Sequence, residues 1–73
     1  MTTKDERDIE KTYPLEQFIA KLRRLADALE KNEPFRIQIA GERIYVPLDA
    51  IANIEHERST DSEEIEFQLK WQL

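Results

Sequence analysis

Apolar residues return every three or four positions between Leu15 and Leu29. Leu15, Phe18, Ile19, Leu22, Leu25, Ala26 and Leu29 fall on one stripe about four turns long, the spacing of an amphipathic helix. Pro14 suits the first turn, where a missing N–H costs nothing, and Thr12 is the better capping residue ahead of it. Asn32, followed by Glu33 and Pro34, supplies the stop: asparagine tolerates the left-handed cap conformation and proline cannot continue the helix.

Beyond the helix the period drops to two. Phe35, Ile37 and Ile39 alternate with Arg36 and Gln38; after Gly41 and Glu42, Ile44 and Val46 alternate with Arg43 and Tyr45. A type II′ turn at Gly41-Glu42 would pair Ala40 with Arg43, Ile39 with Ile44 and Ile37 with Val46, with Tyr45 opposite Gln38 on the outer face. The only glycine then occupies the position that needs φ > 0. Pro47 ends the strand or holds it at an edge.

Residues 52–58 alternate again, residues 59–62 read as a turn, and a last strand runs to Trp71. Residues paired across an antiparallel hairpin share a face. A four-residue loop therefore places Ile54 opposite Phe67, Ala52 opposite Leu69 and His56 opposite Ile65. The other face pairs Glu55 with Glu66 and Glu57 with Glu64. One face is apolar apart from His56, and the other gathers carboxylates.

These elements predict an α+β fold, with one amphipathic helix packed on one face of a four- to five-stranded, mostly antiparallel sheet. Residues 13–73 form its single domain, and residues 1–12 are a charged N-terminal segment. Arg7, Ile9, Lys11 and Tyr13 alternate with polar residues there, which fits a short edge strand; a frayed terminus is the other reading. Ile65, Phe67, Leu69 and Trp71 share parity and are expected to wall the core, with Trp71 closing its end.

The run from Ala20 to Glu30, then Glu33-Pro34, Gly41 through Val46-Pro47, residues 54–57 and the closing Glu66-Phe67-Gln68-Leu69-Lys70-Trp71 resemble the amphi-Trp domain family of bacteria and archaea. The likeness covers roughly residues 13–71. Asn32 stands where glycine is expected, and Pro14 where a serine-type cap is usual. The resemblance implies architecture and brings no catalytic residues with it.

Composition narrows the function classes. Seventy-three residues make one small domain, and with no cysteine both disulfides and thiolate zinc sites are excluded. No apolar run approaches the ~18 residues of a membrane helix, and the polar opening residues lack a signal-peptide core, so a cytoplasmic protein is expected. A net charge of −5 disfavours nucleic acid and anionic membranes.

Four groups of residues are candidates for function. Glu55, Glu57, Glu64 and Glu66, with Tyr45 as an exposed aromatic, offer an interaction surface for a basic partner or a weakly held divalent cation; a solvated face neutralised by Lys70, Arg36 or Arg43 is the plainer reading. Lys21, Arg24 and Lys31 form a helix stripe able to contact an anion, although such stripes are commonly just solvated. His56 lies between Glu55 and Glu57, but strand neighbours point to opposite faces, so these acids cannot converge on it as helpers of a base or metal ligand. Trp71 is the fourth, an interfacial anchor if it is not core.

No catalytic set, resident metal, cofactor or small-molecule substrate is indicated, and an enzyme is not expected. The pattern points to a protein-interaction or assembly module, self-association included. The alternative is a binder of nucleic acid or another anionic ligand through Lys21, Arg24 and Lys31.

Overall fold

The computed structural model describes residues 6–73, and Leu15–Glu30 forms its single helix, α1. Pro14 is the N-cap itself rather than a first-turn residue, and no side chain caps the helix. The Pro14 carbonyl accepts from the N–H groups of Gln17 and Phe18 at 3.0 and 3.1 Å, so part of the capping falls to the backbone. At the other end Asn32 takes φ 58°. The N–H of Glu33 bonds the Ala28 carbonyl at 2.9 Å, and that of Asn32 bonds Leu29 at 3.2 Å. This is the Schellman pattern, which asparagine supports in place of glycine.

Strands β1 (Phe35–Ile39) and β2 (Glu42–Val46) form an antiparallel hairpin in the register Phe35↔Val46, Ile37↔Ile44, Ile39↔Glu42. The turn is therefore Ala40-Gly41, not Gly41-Glu42, and Tyr45 pairs with Arg36 rather than Gln38. Both turn residues have positive φ, 47° and 85°, the signature of a type I′ turn, whose twist matches the hairpin. The shift of register by two leaves the faces unchanged. It places an alanine in the left-handed region, at a cost of about 1 kcal/mol. Ala40→Asn should therefore raise stability by about 0.5–1 kcal/mol, read as a higher urea midpoint at unchanged m-value.

Strands β3 (Ile51–Arg58) and β4 (Glu63–Lys70) form the second hairpin, in the register Ile54↔Phe67, Ala52↔Leu69, His56↔Ile65. Its turn is closed by the Ser59 N–H to the Ser62 carbonyl at 2.9 Å. Trp71 lies just beyond β4, half-buried, beside a depression lined only by residues 69–73, its own neighbours.

The single four- to five-stranded sheet is not what forms. The two hairpins are separate two-stranded antiparallel sheets. Pro47 follows β2 directly, and a turn with Ala50 N–H on the Pro47 carbonyl at 3.3 Å leads the chain away before β3 begins. With no donor on Pro47 and the chain redirected, β2 does not extend a ladder into β3. Nor is there an edge strand among residues 6–14, which are irregular; residues 1–5 of that expected segment lie outside the described residues. Arg7 instead donates to the Ile39 and Ala40 carbonyls and pairs with Glu42 at 3.0 Å, fastening this segment to the β1–β2 turn.

Burial follows the same division. Among the described residues only Phe35 and Val46, cross-strand partners, fall below a tenth exposed, at 7% and 6%. Arg24 reinforces this small core: its guanidinium stacks 5.1 Å from the centre of the Phe35 ring and donates to the Arg36 carbonyl at 2.7 Å, tying α1 to β1. By contrast Ile54, Ile65 and Phe67, expected to wall the core, are 62%, 63% and 68% exposed. Glu66 and Gln68, on the opposite face of β4, are less exposed than these apolar neighbours.

Candidate functional site: the two faces of the second hairpin

The β3–β4 hairpin carries the residue groups singled out in the sequence on two opposed faces. On the outer face, carboxylate oxygens of Glu57, Glu64 and Glu66 lie within 4.8 Å of one another. Glu55 is directly opposite Glu66 in the ladder but is not part of this cluster. Gln68 donates to Glu66 at 2.9 Å. The hydrogen bond that protonated Glu64 donates to the Glu57 carboxylate, and then the charges of Glu57 and Glu66, raise the Glu64 pKa above its ordinary value. A calcium ion takes six to eight oxygens, and three exposed carboxylates on an open strand face do not by themselves make such a site. Their direct effect is repulsion.

That repulsion has a defined pH dependence. A raised folded-state pKa means the folded protein holds the Glu64 proton more tightly than the unfolded chain. The associated stability is present below the ordinary carboxyl pKa and is lost as pH rises through the elevated value. Glu64→Gln should thus raise the thermal midpoint modestly at pH 7, and the gain over wild type should vanish near pH 3. A gain that persisted in acid would remove carboxylate repulsion as the cause.

The inner face ends at the hairpin tip in a charged cluster that the sequence reading missed. Glu63 accepts from His56 Nε2 at 2.7 Å and from Arg58 at 2.8 Å. These bonds, His56 first and Arg58 second, hold the Glu63 pKa below its ordinary value. Glu55 and Glu57 do point away from His56, as strand parity requires. The acid that reaches it comes from across the ladder, since Glu63 is paired with Arg58, two positions along from His56. The same parity rule, carried one pair further toward the turn, would have found it. The nearby Ser59 and Ser62 hydroxyls bond each other at 2.8 Å and tie up the turn.

Between this cluster and the helix, the inner face is apolar. Leu25 and Leu29 of α1, with Ala52, Ile54, Phe67 and Leu69, line an open groove of about 300 Å³ that Asn53 and Gln68 also border. Ile65 extends the apolar surface toward the tip.

The helix stripe is largely engaged within the fold. Lys21 is half-buried with its ammonium 4.7 Å from the centre of the Tyr13 ring, and Arg24 is committed to Phe35 and Arg36. Lys31 is the exposed helix C-cap. Tyr45 is half exposed, but Arg36 lies over its ring at 5.3 Å. Gly41 serves its turn, with open space where a Cβ would stand. Among the described residues no helix is long and apolar enough to cross a membrane.

Compared with known families, curated proteins and solved structures, the chain matches none. The resemblance to amphi-Trp domains accordingly rests on the residues that carry it.

Proposed function

We propose that this chain is a non-enzymatic protein-interaction module of the amphi-Trp type, acting in the cytoplasm through the inner face of β3–β4. The observation that carries this reading is the exposure of Ile54, Ile65 and Phe67 on that face, while Glu66 and Gln68 on the other are partly covered. Contiguous exposed apolar surface rimmed by polar groups is characteristic of interaction sites. The acidic outer face, the surface first favoured by the sequence, is the weaker candidate because its carboxylates repel one another and find no basic partner across the ladder. The anion-binding alternative through Lys21, Arg24 and Lys31 loses support because Arg24 and Lys21 are already engaged.

A photo-crosslinking amino acid placed at position 67, in cells, tests this, with position 55 on the outer face as control. Protein adducts should form from position 67 and be sparse from position 55. Adducts from neither position, or from position 55 alone, would overturn the reading.

A further inference from the structure

We infer that the partner of this apolar face is a second copy of the same chain. The two copies associate around a two-fold axis, with their β3–β4 inner faces and the adjoining flank of α1 buried between them. This rests on the interaction reading above and specifies its occupant.

The first support is area. A compact monomer of 8.7 kDa has an accessible surface of about 4,700 Å² by area–mass scaling. This chain exposes 6881 Å². The excess is roughly 2,200 Å², to which the irregular segments 6–14 and 72–73 also contribute. A standard stable interface buries about 800 Å² on each partner, so the surplus is sufficient for one. The radius of gyration agrees: 13.9 Å, against about 11 Å for a compact domain of this length.

The second support is hairpin physics. An isolated two-stranded hairpin is marginally stable at best, and needs a third strand or a packed face to persist. Among the described residues strands β3 and β4 pair with each other alone, and Ile54, Ile65 and Phe67 are open within the protomer. A second copy would supply the cover that the described residues give only in part.

The third support is charge. The whole chain carries −5, and two copies repel on average. The inner face is the exception. Ala52, Ile54, Ile65, Phe67 and Leu69 carry no charge, and at its tip Arg58 neutralises Glu63. A face without net charge can meet its own copy, as an isologous contact demands. The outer face, with Glu55, Glu57, Glu64 and Glu66, cannot do so without direct carboxylate repulsion.

Size-exclusion chromatography with light scattering, run over a range of concentrations on wild type, Phe67→Glu, Phe67→Ala and Glu55→Lys, tests the inference, with circular dichroism reporting fold. Wild type should have twice the mass of 8.7 kDa. Phe67→Glu should be monomeric, whether or not the monomer keeps its structure. Phe67→Ala should weaken association by roughly thirtyfold, the effect of losing a hot-spot side chain. Glu55→Lys should remain dimeric. A wild-type monomer up to millimolar concentration would overturn the inference, as would a Phe67→Glu dimer, or a Glu55→Lys monomer. If wild type is monomeric yet position 67 still crosslinks to a different protein in cells, the interaction reading stands and only the second copy is lost.

Discussion

Phe35→Ala should cost about 3–5 kcal/mol and leave the chain largely unfolded at room temperature. Phe35 is one of two buried side chains among the described residues; it is paired with Val46 across the ladder, and the Arg24 guanidinium lies over its ring. Truncation loses the transfer energy of the ring, leaves a cavity, and removes the surface on which the Arg24 guanidinium stacks. Domains typically hold only about 5–15 kcal/mol, and a chain of this size falls toward the low end. A loss below about 1 kcal/mol by urea unfolding would show that the core lies elsewhere. Val46→Ala, which removes less surface at the same contact, should cost less than Phe35→Ala.

Dilution should produce the second large effect, and it should be regional. Amide hydrogen exchange at concentrations where copies associate should show protection in both hairpins. Far below the dissociation constant, protection of β3–β4 should collapse while β1–β2 and the middle of α1 keep part of theirs. The reason is that β1–β2 has Phe35 and Val46 to hold it within the protomer, whereas β3–β4 has little of its own to pack on. Protection of β3–β4 that does not change with concentration would mean that the hairpin persists unaided. That would contradict the energetic case for a covering copy.

Local pattern was legible wherever it depended on side-chain period or turn chemistry. The helix ran over the apolar stripe, Asn32 took the left-handed cap, and β3–β4 adopted the register that parity and a four-residue turn require. The first hairpin shows a limit of that reasoning. Turn chemistry alone puts glycine at the first turn position, yet Ala40 stands there with φ 47° and Gly41 follows it. In return Phe35 and Val46 become direct partners, and those two form the buried core. What local pattern could not supply was how one hairpin sits on another. Alternation says which face of a strand is apolar, and assigning that face to the chain's own core assumed that one chain covers it. Ile65, Phe67 and Leu69 have the parity of core residues, but Ile65 and Phe67 are exposed and Leu69 lines an open groove. The His56–Glu63–Arg58 cluster was missed for a simpler reason: acids were sought along the strand and not across it.

The unequal faces of β3–β4 also limit the size of what the hairpin can build. Two-stranded sheets leave every strand with an open edge, and a hairpin apolar on both faces would stack without end into fibres. In the proposed pair one face is covered while the other, with Glu57, Glu64 and Glu66 clustered on it, disfavours a further layer. Within that pair such a surface has a valence of one: once its apolar side is occupied, a further layer would meet the carboxylates of Glu57, Glu64 and Glu66. Neutralising the outer face at Glu57, Glu64 and Glu66 together would remove that stop, turning a pair of fixed size into a sheet stack open to growth.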